Sequence, residues 1–463
     1  MRKLWLTVGV LALAGAAFGA WYATRPDWTT SSRAALDEYL KGRQSQMKLY
    51  APDAAASFRR ALELDPEFVA PKIGLLDTDP DKAERERVLA ELRATDPGRL
   101  NERERFLVAA VLARVDHDEA RRRQLTAAYL ERHPRDPWAL GMTAGDAWAR
   151  QDWAEAERGY RRLLEVDPNW LLARNILGYI AMAQGRFRES EDEFRTYRFA
   201  APDQANPHDS LGELFVLLGR YDEARAELEQ ALAIRADFCA SYQNLMRIAV
   251  LDRRPDDIDG IVGRIERHCP AEQVTEARCV GLEARAFLLG DDEAPWRDAD
   301  GPCKGQLDKP DVLLHMLAVR SGRHDVAVAL EEKLRERLEK PDTASEMGKQ
   351  GTRTLLSFLT GERLYAEGRP AEAIPLLRES DDDANWWGAG GNGVVRLLAR
   401  LLLARCLEAT GDHAGAQEAL ARLRAVNPAL AAWYGSYDPL APAAGSPPPA
   451  ALAPTGHPAA QLP

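Results

Sequence analysis

Cysteine is scarce in this chain, five in 463 residues, and no two form a C-x-x-C pair. A paired-thiolate metal knuckle is thereby excluded. The eight histidines form no H-E-x-x-H and no ligand-spaced cluster, so no metal is expected. Excess positive charge is absent too: 61 basic against 72 acidic residues leave a net charge of -11, which argues against general nucleic-acid binding. Arg121, Arg122 and Arg123 sit beside Asp116, Asp118 and Glu119 and read as a solvated helix face. No G-x-S-x-G occurs. Gly388, Gly390, Gly391 and Gly393 do spell G-x-G-x-x-G, but no strand precedes them to aim backbone amides at phosphates. The acidic groups at 291–293, 298–300 and 381–383 lack the order of a calcium loop. No set of residues supports catalysis, and no cofactor is expected.

Long apolar runs are missing except one. Leu4 to Ala23 holds 20 residues without charge, about 30 Å as a helix and enough to cross a bilayer core. Trp5 at one end and Trp21-Tyr22 at the other suit the two membrane interfaces. This predicts a cytoplasmic tail over 1–3, an inner-membrane anchor over 4–23 and a linker over 24–34, with the folded part extracytoplasmic. The alternative is a cleaved signal, for which Ala17 and Gly19 supply small residues. Gly15 and Gly19 also make a small-xxx-small pair that would support weak homodimerisation.

What the chain has in abundance is repetition. From 137 to 238 one pattern is written three times at a spacing of 34. One copy reads Leu177-Gly178, Ala181, Gly185, Phe187, Ser190, Phe194, Tyr197, Pro202. The next reads Leu211-Gly212, Phe215, Gly219, Tyr221, Ala224, Leu228, Ala231, Ala236. A looser copy precedes them with Thr143-Ala144, Ala147, Trp153, Ala156, Tyr160, Leu163, Pro168. Apolar residues three and four apart, a Gly-aromatic break and a second such run predict two amphipathic helices joined by a tight turn.

These residues resemble the tetratricopeptide repeat, which implies an all-α, right-handed solenoid of helix-turn-helix pairs. The resemblance divides the chain into partly degenerate repeats over 35–136, a regular block over 137–272, degenerate repeats over 273–436 ending in a good pair around Gly411, and a Pro/Ala-rich tail over 437–463 expected to be disordered. The irregular stretch from Gly290 to Pro310 interrupts the periodicity. Trp386-Trp387 is expected to bury against the helix over 353–367.

In this family the second face of each first helix lines a concave groove. Carried over copy by copy, that face offers Trp138 and Trp148, Asn175 and Tyr179, Asn206, Asp209 and Glu213, then Gln243 and Arg247. Amides suit an extended backbone and aromatics supply area, so a protein or peptide ligand of basic or polar character is expected. The resemblance therefore implies a non-enzymatic, membrane-anchored scaffold of the bacterial envelope. The central block also resembles the extracytoplasmic repeat regions of bacterial one-chain regulators, which implies a sensory module acting with a separate signalling partner. A third reading is an enzyme or ligand-binding protein using the 290–310 loop. For an extracytoplasmic fold, Cys303 pairs with Cys269 or Cys279; the odd total leaves a free thiol, and Cys406 reads as buried.

Overall fold

The computed structural model describes residues 28–79, 81–297, 301, 303–305, 311–339, 346–382, 386 and 392–436. The spanning run at 4–23, with Gly15 and Gly19, lies outside these residues, as do Asp298, Asp300, Trp387 and the tail from 437. Among the described residues all regular structure is helical. No described helix is long and apolar enough to cross a membrane.

Helices α1 to α6 span Arg33–Met47, Ala51–Leu64, Val69–Thr78, Lys82–Ala94, Glu102–Val115 and Glu119–Arg132. Then α7 to α14 span Pro137–Ala149, Trp153–Val166, Leu172–Ala183, Phe187–Ala200, Ala205–Leu217, Tyr221–Ile234, Cys239–Leu251 and Pro255–His268. The series ends with α15 at Ala271–Leu289, α16 at Val312–Arg320, α17 at His324–Glu339, α18 at Glu346–Ala366, α19 at Pro370–Asp382, α20 at Asn392–Ala409, α21 at His413–Val426 and two short helices, α22 at Pro428–Ala431 and α23 at Trp433–Ser436.

The pairing follows from small residues facing large ones sixteen positions on. A methyl group on Gly42 would come within 2.5 Å of the Phe58 ring, one on Gly212 within 2.8 Å of Leu228, and one on Gly361 within 2.9 Å of Leu377. Gly178 meets Phe194 in the same way. The second helix of a pair thus lies against the backbone of the first. Its own buried stripe runs at helical spacing, as in α10, where Ser190, Phe194 and Tyr197 are fully buried.

The turns keep register even where glycine is missing. His117, Gln151, Gly185, Gly219 and Arg253, each 34 residues after the last, all have φ between 57° and 72°. Glycine adopts this left-handed conformation freely, whereas the other three residues do so at a cost of about 1 kcal/mol.

Two compact units divide the chain. One runs to Gly145 and takes in Arg162–Leu172; the other comprises Asp146–Arg161 and the chain from Ala173 on. The first is built on Trp28, Tyr39, Phe58, Phe68, Phe106 and Leu107. Its leading segment is fastened by the buried Glu104, which accepts hydrogen bonds from the Thr29 amide at 2.9 Å and hydroxyl at 3.0 Å while closing a capping box with Asn101.

In the second unit the C-terminal helices return to the earlier repeats. The Trp386 amide donates to the Ala183 carbonyl at 2.9 Å, and its ring meets Phe187 edge-on at 5.5 Å. Trp386 is therefore buried as the sequence suggests, but on the α9–α10 turn and beneath Arg396 and Arg400 rather than against the 353–367 helix. Asn427 enters the next turn, donating to the Leu217 carbonyl at 3.1 Å. Leu397, Leu401, Leu423 and Leu430 join one core with Leu214, Leu217 and Tyr242.

The irregular stretch after α15 occupies the place of an outer helix. Gly290 ends α15 in the left-handed conformation, a 3-10 turn at Ala294–Trp296 packs on α15, and a disulfide ties Cys303 to Cys279.

Candidate functional site

Because α20 lies over the inner helices of the second unit, much of the face expected to be an open groove is interior. Asp209 and Asn206 on α11 are 6% and 4% exposed. Asp209 accepts from the Ser241 hydroxyl at 2.8 Å and the Asn244 amide at 3.4 Å, and Asn206 donates to the Tyr197 hydroxyl at 3.2 Å. Burial, and then the neighbouring Glu213, raise the Asp209 carboxyl to about 7. Tyr179, half-buried, donates to Glu213 at 2.6 Å, and burial followed by Glu213 and Asp209 hold its hydroxyl well above the usual phenol range. Arg247 donates to Asn244 at 2.7 Å; burial lowers its pKa, while Glu213, Asp209 and Asp311 favour its charge.

Five of the expected positions, Tyr179, Asp209, Glu213, Gln243 and Arg247, therefore belong to one region of α9, α11 and α13. The other four stand apart from it in their contacts. Asn175 is buried with its Oδ1 unpartnered among the described residues. Trp148 lies edge-on to Trp153 at 5.2 Å. Trp138 belongs to the first unit, where Arg43 covers its ring at 3.8 Å.

What remains open is a cavity of about 330 Å³ next to Arg247. Helix α13 contributes Gln243, Met246, Arg247, Val250 and Leu251; α15 contributes Gln273, Glu276, Ala277 and Val280; the start of α16 contributes Asp311, Val312 and Leu313; and α20 contributes Val394, Val395 and Leu398. Cys239 and Cys269, joined by a second disulfide, form part of the lining. Its walls are apolar, with a few polar groups that would fix orientation, as ligand-binding clefts require. Of the expected residues only Gln243 and Arg247 line it.

The contributions of α15, α16 and α20 escaped the sequence reading. The Asp311-Val-Leu-Leu run does carry a local signal, since Asp311 caps α16 by accepting from the Leu313 and Leu314 amides at 2.8 and 3.3 Å. Nothing in it announces that α13 and α20 stand opposite. The Cys239–Cys269 pair was also not anticipated: Cys239 opens α13 and Cys269 follows α14, so two antiparallel helices bring them together.

A second cluster, also unforeseen, is fully interior. His315 on α16 lies between Glu362 at 2.6 Å and Glu331 at 3.4 Å, all three with no exposed side-chain surface. Arg363 and Thr360 donate to Glu331 at 2.7 and 2.9 Å. Burial opposes charge on His315, but the hydrogen bonds to Glu331 and Glu362 outweigh it and raise the imidazole to about 9. With every member walled off from solvent, this cluster holds α16, α17 and α18 together rather than serving a ligand. Among the described residues no group of His, Cys, Asp or Glu has the geometry of a metal site.

Family models of the tetratricopeptide repeat match residues 142–205, 208–238 and 364–435. The chain thus carries tetratricopeptide repeats in its regular block and again near its C-terminal end. No curated protein sequence matches it. Among solved structures it is similar to the crystal structure of the APC/C hetero-tetramer Cut9-Hcn1, over 85% of this chain and 74% of that one, at 13% identity and a TM-score of 0.45.

Proposed function

We propose that this protein is a scaffold that holds a partner protein through the cavity between α13, α15, α16 and α20, tethered by residues 4–23 to the outer face of a bacterial inner membrane. The observation that carries the reading is the cavity itself. Repeats of this kind generally bind protein partners, and the place where the second unit leaves its inner face uncovered is apolar, with Gln243 exposed at its edge.

The two disulfides support the location, because structural disulfides persist in oxidising compartments and are rare in the cytosol. The remaining cysteine, Cys406, is buried in an apolar core that pushes its thiol up to about 12, so it is inert.

A photo-crosslinking residue placed at Gln243 in the full chain, in cells, tests the site. The same residue at Asp222, whose side chain is 99% exposed on α12, serves as control. A discrete adduct from position 243 alone supports the reading; equal capture from both sites, or from 222 alone, rejects it. Alkylation of thiols at harvest tests the location, which requires a single reactive cysteine after unfolding without reductant.

A further inference from the structure

One wall of the cavity holds negative groups that its packing leaves unbalanced. Helix α15 sends Glu276 and Val280 to the lining, and Glu283, two helical turns beyond Glu276, continues the same helix face. Glu283 is 4% exposed and, among the described residues, has neither a hydrogen bond nor an ion pair. The charged group it feels is Asp311, itself in the lining. Asp311 is committed to capping α16 and supplies no positive charge.

Arg247, the guanidinium of this lining, does not resolve the imbalance. It is held by Asn244, and the groups that act on it most are Glu213 and Asp209, on the α11 side. It has no resolved influence on Glu283. Two buried carboxyls therefore face one another with no cation between them, an arrangement that proteins neutralise by protonation or by pairing. In the absence of a cation, burial and then Asp311 raise Glu283 to about 8, so that it stays protonated at neutral pH.

The remaining walls, chiefly Val250, Val312, Leu313, Val394 and Leu398, are aliphatic and match methylene groups. A cation suited to this site is compact and carried on an apolar stem. A guanidinium needs a planar fork of acceptors, whereas an ammonium is a point charge that two unaligned carboxyls can hold. We propose that the cavity takes a lysine side chain of the partner, its stem against the aliphatic wall and its ammonium between Glu283 and Asp311. This rests on the reading of the cavity as the partner site and specifies what enters it.

n-Pentylammonium, n-pentanol and n-pentanoate, titrated against the full chain by calorimetry and ligand-observed NMR, separate the contributions of stem and charge. The ammonium is expected to bind at least tenfold more tightly than either of the others. Glu283→Gln, nearly isosteric, is expected to reduce that preference to under threefold. Asp311→Asn, which keeps the helix cap, is expected to weaken ammonium binding and provides the same reading should the Glu283 variant fold poorly. Equal affinity for pentanol and pentylammonium would overturn the lysine assignment while leaving an apolar partner site. Tighter binding of pentanoate would overturn it in favour of Arg247 as the recognising group. If none of the three binds while Gln243 still crosslinks a partner, the lysine assignment fails and the partner site stands; loss of both rejects the two together.

Discussion

The side-chain amide of Asn427 donates to the backbone carbonyl of Leu217 at 3.1 Å, joining residues 210 apart in the chain. Its carbonyl oxygen meanwhile accepts from the Leu430 amide at 2.8 Å, capping α22. One buried side chain thus fixes both the start of the last helices and their seat on the Gly219 turn. Asn427→Ala is expected to cost about 2 to 4 kcal/mol, combining a lost cap with an unsatisfied buried carbonyl. Urea denaturation measures the total. Hydrogen exchange should localise it, with the amides of 216–221 losing protection and those of 54–64 unchanged.

Close helix approach gives a prediction with opposite signs at two glycines. Gly212→Ala is expected to destabilise by about 1 to 3 kcal/mol, because the new methyl would overlap Leu228. Gly260→Ala lies within α14 with nothing within 4 Å, and is expected to stabilise by about 0.5 to 1 kcal/mol by restricting the unfolded chain. Thermal unfolding of the two variants decides; the same sign for both would refute the packing argument.

At the α7–α8 turn, Gln151 adopts φ 61° where the next two repeats have glycine. Its Nε2 is buried without a partner, so little is lost with the side chain. Gln151→Gly is expected to raise stability by up to about 1 kcal/mol, relief of backbone strain slightly exceeding the added unfolded-state entropy. Calorimetric melting temperature is the measurement.

The repeats are plain in the sequence because their signal is local. Leu177-Gly178, Gly185 and Phe194 lie within one repeat, and each residue's role is fixed by neighbours up to sixteen positions away. The candidate site is not local. Gln243 and Arg247 could be reached by carrying one repeat's geometry onto the next, but Val394 and Leu398 come from a segment some 150 residues further on. No periodicity states that this segment folds back. Asp209 illustrates the consequence: its offset is that of a groove residue, yet with α20 over this face it serves Ser241 and Asn244 instead. His315 was illegible for a related reason, since its two glutamates arrive from positions 331 and 362.

Stability should carry the imprint of His315. Its folded value near 9 exceeds the ordinary value of 6.5, so its contribution is fully present below about pH 6.5 and is lost as pH rises through 9. His315→Gln is expected to flatten the fall in urea midpoint between pH 7 and 9.5, while lowering stability at pH 6 by about 3 kcal/mol through leaving Glu331 and Glu362 without their shared donor. An unchanged slope in the variant would assign the pH dependence elsewhere.

Reduction tests the covalent ties. The disulfides at Cys239–Cys269 and Cys279–Cys303 close spans of 30 and 24 residues, each expected to contribute about 3 kcal/mol. Reductant should lower the melting temperature of the wild type, and the Cys279→Ser, Cys303→Ser double variant should show part of that loss without it.

An ordinary solenoid tolerates changes in repeat number, because each repeat answers only to its neighbours. Here Trp386 reaches the turn at Ala183 and Asn427 reaches the following turn at Leu217, so two successive turns of the early array are matched to two fixed points of the late one. Duplicating or deleting a 34-residue copy between them would put those points out of step. The fold-back therefore turns an open-ended array into a structure of set length, and evolution by repeat gain or loss is barred between residues 183 and 427.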